Sequence, residues 1–203
     1  MKWNIIADKA RVEKTMAALK ENGMEVFFVA SGAEAKAKAL SIIPKSAEVM
    51  DMTSTTLGTI GVADAINKPG DYDSVRVRLN GMDRKTQGSL MQKLGAAPDW
   101  TVGSVHAVTE KGQVMVVSQT GSQLPAYAYG SGNVVWVVGT QKIVKDLDEG
   151  FRRIYEYVLP LESERARKAY GVPGSAVNKV LIVNKEVRPG RLRVIFVNEV
   201  LGF

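Results

Sequence analysis

The chain has 203 residues, of which 45% are hydrophobic and 24% are charged, and this composition is ordinary for a globular protein. A chain of this length buries roughly 70% of its unfolded surface, so it needs no disulfide or metal to hold a core. It contains no cysteine, which excludes thiol nucleophiles, disulfides, cysteine-ligated zinc and iron–sulfur clusters bound by this chain.

The net charge of +6 is spread along the chain without a run of five cations. This distribution favours a solvated basic surface over nucleic-acid binding, so no nucleic acid is expected as a partner. The N-terminal residues lack the apolar segment of a signal peptide, and the apolar runs are too short to span a membrane. The sequence therefore predicts a cytoplasmic protein without membrane association.

The first elements follow the order helix, strand, helix. Apolar residues at helical spacing follow Asp8, which is expected to cap the first helix. Residues 24–30 are a nearly continuous apolar run rich in Val and Phe, which predicts a strand covered on both faces. Ser31 and Glu34 have the spacing of a capping box and predict a second helix. This order is typical of the start of a βαβ unit.

A second, shorter unit follows. Residues 47–50 are expected to form a strand, and residues 51–54 offer several possible caps for a short helix. Residues 67–82 are ambiguous, because apolar and arginine residues alternate over positions 75–79 as in a strand that has no evident partner. A helix over residues 84–94 is predicted next.

The second half of the chain supplies the remaining strands. Short apolar runs predict strands over residues 101–105, 114–117, 134–138, 180–183 and 192–197. A short helical stretch is expected over residues 125–129, and Asp146 is expected to cap a longer helix. The turn residues Arg188, Pro189 and Gly190 predict a C-terminal hairpin between the last two strands.

The alternation of strands and helices predicts an α/β fold with an open, mostly parallel, Rossmann-like sheet and helices on both faces. A single domain over residues 1–203 is expected, because no repeat or long linker interrupts the chain. In such sheets, ligands bind where strands end and loops begin.

Two polar loops follow predicted strands and form the candidate anion site. One spans residues 118–123 and the other residues 139–142, and we expect neighbouring strand ends to bring them to a shared positively charged hollow. With the preceding strand end, the candidate ligand-binding residues are Gly103, Ser104, His106, Ser118, Thr120, Gly121, Ser122, Gln123, Gly139, Thr140, Gln141 and Lys142. The backbone amides of Gly121 and Ser122 and the charge of Lys142 would bind the anion.

Glu110 and His106 are the remaining chemical candidates. Glu110 is a candidate nucleophile or general base, although the sequence around Gly112 equally suggests a hairpin turn, which is the favoured interpretation. His106 is the only histidine and has no cysteine to pair with, so no metal site is predicted. No convincing Ser–His–Asp triad can be assembled around it, and a catalytic role for His106 itself is left open. No cofactor is predicted.

The second half of the sequence resembles the lactate-utilisation (LUD-domain) family in its stand-alone form. The resemblance is carried by GSVHAVTEKGQVMVVSQTGSQLPAYAYGSGNVVWVVGTQKIVKDLDEGFRRI at residues 103–154, and by VLPLESERARKAYG and GSAVNKVLIVNKEVRPGRLRVIFVNEVLGF at residues 158–171 and 174–203. It implies a fold similar to the phosphosugar isomerases, methenyltetrahydrofolate synthetases and class I CoA-transferases. It also implies a role beside iron–sulfur redox subunits in the oxidation of lactate to pyruvate.

Three functions follow from the resemblance and the loops. The first is binding of a small anion (a carboxylate, a phosphate or a CoA ester) in organic-acid metabolism. The second is a stand-alone enzyme, either a phosphosugar isomerase or an acyl or CoA transferase. In the transferase case Glu110 would form an acyl intermediate, because Glu110, Lys111 and Gly112 are similar to the Glu-Asn-Gly of CoA-transferases. The third is a non-catalytic partner of redox subunits. Whether the protein is an enzyme or an oligomer is left open.

Overall fold

The structure is a computed structural model, and it describes residues 3–203. It contains strands β1 (Glu25–Val29), β2 (Glu48–Asp51), β3 (Asp73–Ser74), β4 (Trp100–Gly103), β5 (Ala107–Thr109), β6 (Val114–Ser118), β7 (Asn133–Gly139), β8 (Ile143–Val144), β9 (Lys179–Val183) and β10 (Leu192–Val197). Its helices are α1 (Lys9–Glu21), α2 (Gly32–Ile42), α3 (Thr55–Thr59), α4 (Val62–Asn67), α5 (Val75–Asn80), α6 (Arg84–Ala96), α7 (Leu147–Arg153) and α8 (Leu159–Tyr170). A π-helical turn spans Ala126–Gly130, and another, Ile154–Val158, joins α7 to α8.

The large sheet has six parallel strands in the order β1-β10-β7-β4-β2-β3. Its central strand β7 is buried on both faces, because Val134, Trp136 and Val138 pack into one apolar cluster while Val135 and Val137 pack into another. Helices α2, α3 and α4 cover one face, whereas α1 and a second sheet cover the other. The predicted α/β fold with an open parallel sheet is confirmed.

The small sheet, which the sequence did not predict as a separate unit, has the strand order β8-β5-β6-β9. Strands β5 and β6 form an antiparallel hairpin, and Gly112 in its turn has a φ of +74°, a conformation that favours glycine. One face of this sheet packs on the large sheet, and α7 packs against the other through Leu147 and Phe151.

The predicted C-terminal hairpin is wrong. Strand β9 pairs antiparallel with β6 in the small sheet, from Val183 opposite Val114 to Lys179 opposite Ser118. Strand β10 instead enters the large sheet between β1 and β7. Five of the six β10 residues are buried, and a strand with so little exposed surface is stabilised by neighbours on both edges, which one hairpin partner cannot supply.

Two further expectations differ from the structure. Strand β1 lies at an edge of the large sheet and is covered mainly on one side, so Phe28 is exposed. Positions 75–79 form helix α5 instead of a strand, because the Ser74 hydroxyl accepts a hydrogen bond from the Val77 amide and caps a helix there. No helix within residues 3–203 is both long enough and apolar enough to cross a bilayer.

Candidate functional site

A cavity of about 1290 Å³ is lined by residues from both sheets and from α5, α6 and α8. The residues with hydrogen-bonding or charged side chains that line it are Thr53, Ser54, Thr55, Thr56, Arg76, Arg84, Gln92, Ser104, His106, Ser118, Gln119, Thr120, Ser122, Gln123, Tyr127, Lys142, Glu162, Arg165, Tyr170 and Ser175. The structure therefore brings most of the predicted binding residues to one cavity.

Lys142 is the buried cation of this cavity, with only 2% of its surface exposed. Its Nζ donates hydrogen bonds to the hydroxyls of Ser104 (3.1 Å) and Thr56 (3.2 Å). Within residues 3–203 no carboxylate lies within 4 Å of this amine. Burial and the nearby Arg153 cation hold the pKa of Lys142 well below its ordinary value.

His106 lies beside β5 and is held in one tautomer. Its Nδ1 accepts a hydrogen bond from the Val117 amide at 3.1 Å, so the ring proton of the neutral imidazole is on Nε2. Arg153, which is fully buried, donates to the His106 carbonyl oxygen. Burial, with the Lys142 and Arg153 cations, lowers the pKa of His106 to about 3, so the ring is neutral at physiological pH.

The loop at residues 118–123 lines the cavity, but its amides are already hydrogen-bonded within the loop. The Gly121 amide donates to the Ser118 hydroxyl at 2.9 Å, and the Ser122 amide donates to the Thr120 hydroxyl at 3.4 Å. Gln123 donates through Nε2 to a neighbouring carbonyl. An anion can reach these amides only by displacing the hydroxyls, so binding at these amides stays a prediction that the structure does not favour.

Residues 139–142 do not all face the main cavity. Lys142 lines the main cavity, whereas Gln141 lines a separate cavity of about 220 Å³ and donates through Nε2 to the Leu201 carbonyl (2.9 Å). A Cβ on Gly139 would lie 2.7 Å from the Glu199 carbonyl oxygen, and Thr140 is buried beside it. Residues 139–141 therefore pack against the C-terminal segment, and Lys142 alone faces the site.

Residues 118–123 and Lys142 line the same cavity, but not because they follow neighbouring strands of one sheet, as was expected. Residues 118–123 follow β6 of the small sheet, and residues 139–142 follow β7 of the large sheet, so they are not ends of neighbouring strands. They reach one cavity because the two sheets pack face to face.

Gly103 lies where the large sheet meets the Ala126–Gly130 turn. A Cβ at this position would lie 1.8 Å from the Tyr127 hydroxyl oxygen and 2.9 Å from its Cζ. Both residues are buried, so an added methyl group would have to push the Tyr127 ring out of its packed position. Gly103 therefore permits close packing of Tyr127 at the cavity wall.

We expect Gly103→Ala to lower the free energy of unfolding by about 1–3 kcal/mol, because overpacking a buried site forces side chains out of position. Urea unfolding measures this loss. Tyr127→Phe removes the atom with the closest contact, so the double variant should lose less than the sum of the two single losses. Strictly additive losses would contradict the assigned contact.

Glu110 lies outside the cavity lining. Glu110 directly follows β5, whereas His106 directly precedes this strand. At the rise of an extended strand, the backbones of the two residues are therefore about 13 Å apart. Its carboxylate accepts hydrogen bonds from Arg11 (2.7 Å) and Lys14 (2.8 Å) of α1. These two cations, Lys14 more strongly than Arg11, hold the pKa of Glu110 below its ordinary value. The observed hairpin agrees with the favoured interpretation as a turn, and the acyl-transfer role of Glu110 stays an untested prediction.

Several cavity residues were missed from the sequence. Arg76 comes from the segment that was ambiguous, Arg84 from the start of the predicted helix over residues 84–94, and Arg165 from a charged helix with no motif. Arg76 donates to the Asp51 carbonyl at 2.7 Å, while Arg165 is held by both oxygens of Glu162. Ser74 as a helix cap is the local signal that could have placed Arg76 on a helix. Within residues 3–203, no three His, Asp or Glu side chains gather as metal ligands.

The LUD-domain family model matches residues 12–197 of this sequence. The chain belongs to the LUD-domain family. A search of curated proteins found no match.

A comparison with solved structures supports the fold through one full-length match. A DUF162 family protein from Deinococcus radiodurans superposes with a TM-score of 0.57 at 15% identity, covering 93% of this chain and 97% of that one. Ribose 5-phosphate isomerase A from Neisseria gonorrhoeae matches with a TM-score of 0.34 at 16% identity, over 57% of this chain and 54% of that one.

Proposed function

We propose that this LUD-domain protein binds a small organic anion in the main cavity and serves organic-acid utilisation, with lactate or pyruvate as the first ligands to test. The observation that carries the proposal is Lys142, a buried amine at the cavity wall with two hydroxyl partners and, among the described residues, no carboxylate within 4 Å. Buried cations are normally paired, and a ligand carboxylate would supply the missing partner.

The charge of the cavity supports an anionic ligand. Its lining in the described part of the chain carries the cations Arg76, Arg84, Lys142 and Arg165 against one carboxylate, Glu162. Arg165 is paired with Glu162, and Arg76 is paired with Asp51 at 3.5 Å, but Arg84 makes no ion pair with the described residues. A cleft lined mainly by cations raises the local concentration of anions.

The proposal leaves redox chemistry to partner subunits, because this chain has no cysteine to hold an iron–sulfur cluster. The cavity of about 1290 Å³ exceeds the volume that lactate needs, so larger anions belong in the test as well.

A thermal-shift screen with lactate, pyruvate, acetyl-CoA, a reduced folate and ribose 5-phosphate tests the proposal. A true ligand at a hundred times its Kd should stabilise the fold by about 2.7 kcal/mol, which is readily measured as a rise in Tm. Lactamide, which keeps the shape of lactate without its charge, is the matched control. If none of the anions raises Tm, or if lactamide acts as strongly as lactate, the anion site is disproved.

A further inference from the structure

We propose that Lys142 acts as a covalent catalyst, whose amine condenses with the carbonyl group of a small anionic carbonyl compound, such as a 2-oxo acid, to form an imine. The inference rests on the proposed function and narrows its ligand to a substrate class. It goes beyond anion binding, because binding alone needs a cation at this position whereas imine formation needs a free amine beside a cavity.

The hydrogen bonds around Lys142 suit a neutral amine. The Thr56 hydroxyl donates its proton to the Leu201 carbonyl (3.2 Å), so it can only accept from Nζ. The Ser104 hydroxyl has no other partner within residues 3–203 and can either accept from Nζ or donate to its lone pair. An ammonium has three N–H donors, and these two hydroxyls are the acceptors present, so the charged form leaves one donor without a protein partner.

The electrostatics act in the same direction. Arg153, fully buried, lies close enough to disfavour a second buried cation, and no carboxylate within residues 3–203 pairs with Lys142 to offset it. Desolvation and this cation lower the pKa of Lys142, which increases the fraction of nucleophilic amine at neutral pH. Arg84, which makes no ion pair with the described residues, also lines the cavity, so a substrate carboxylate retains a cation there when Lys142 is neutral.

The chemical step balances without an oxidant or reductant. The Nζ lone pair attacks the carbonyl carbon, a C–N bond forms, and the carbonyl oxygen takes up a proton to become the hydroxyl of a carbinolamine. Loss of that hydroxyl with one proton from nitrogen releases water and leaves the imine. The Ser104 hydroxyl beside Nζ and the Nε2–H of His106 are the cavity donors suited to stabilise the oxygen as its charge develops.

Reductive trapping tests this inference. The intact protein is incubated with pyruvate, glyoxylate or glyceraldehyde 3-phosphate together with sodium cyanoborohydride, and the sites of labelling are read by peptide mass spectrometry. We expect one adduct per chain at Lys142, formed about tenfold or more faster than at the exposed Lys145, because each unit of pKa depression raises the amine fraction tenfold. Excess lactate should slow the labelling by competing for the cavity.

Two variants complete the test. Lys142→Met should abolish the specific adduct, whereas Lys145→Met, three residues along the chain, should leave it unchanged. If none of the three carbonyl probes labels Lys142 faster than Lys145, imine formation is overturned. The anion-binding function survives that result if lactate or pyruvate still raises the Tm, and it fails separately if no anion does.

Discussion

The Lys142→Met variant is expected to weaken binding of the anionic ligand by about 2–5 kcal/mol, which is roughly 30-fold or more in Kd. The reason is that methionine matches the length of the lysine side chain but cannot supply the buried charge and hydrogen bond. The fold should remain intact, since the variant removes a buried polar group that has no carboxylate partner. Isothermal titration calorimetry measures the affinity, and urea unfolding measures the stability.

The dependence on pH distinguishes loss of this charge from general damage. The free protein holds the pKa of Lys142 well below its ordinary value, and a bound carboxylate would raise it, so binding takes up a proton. The affinity for lactate should therefore be constant below the lowered pKa and fall as pH rises above it. His106 contributes no such slope near neutrality, because its pKa is about 3. A Lys142→Met protein that kept the slope, or kept full affinity, would refute the assigned role.

Arg191→Met is expected to cost about 3–5 kcal/mol in the free energy of unfolding, because it breaks a buried charged network from one side. The Arg191 guanidinium is 5% exposed and donates to the carbonyl oxygens of Ser131 (2.8 Å), Ala126 (3.1 Å) and Tyr127 (3.0 Å). It also pairs with Glu186 at 2.8 Å. Methionine would remove the guanidinium donor from these four acceptors, and the buried Ser131 and Tyr127 carbonyl oxygens would lose a charged hydrogen bond. Denaturant unfolding followed by circular dichroism measures the loss.

Arg193→Met is the matched control for that measurement. Arg193 lies two residues further along, in β10, and pairs with Glu25 at 3.2 Å. Since Glu25 is half exposed, this pair should contribute at most about 1 kcal/mol. Equal losses in the two variants would contradict the view that the Arg191 network fastens the Ala126–Gly130 turn, and with it Tyr127, at the cavity wall.

Local patterns in the sequence predicted much of the secondary structure. The caps at Asp8, Ser31 and Asp146 were predicted at the observed residues, because a side-chain hydrogen bond to an amide three positions along depends only on nearby residues. The β5–β6 hairpin was likewise anticipated around Gly112. In α5 the alternation of apolar residues suggested a strand and left the segment ambiguous, whereas the structure shows a helix capped by Ser74.

The candidate site was predicted only in part. Ser104, His106 and Lys142 were named because polar residues follow strands, and the structure brings them to one cavity. Gly139, Thr140 and Gln141 had the same signal but pack against the C-terminal segment. No local pattern separates these two outcomes, since each depends on which distant segment covers the loop.

Motifs and local patterns were enough to assign the family, the α/β class and the position of most strands and helices, because periodicity and capping are properties of neighbouring residues. Long-range packing, in contrast, places β9 and β10 in different sheets, ties Glu110 to α1, and buries Lys142 with no carboxylate partner among the described residues. These outcomes depend on strand pairing and burial between residues far apart in the chain. The burial and the partners of a charged side chain such as Lys142 are therefore set by the tertiary packing around it.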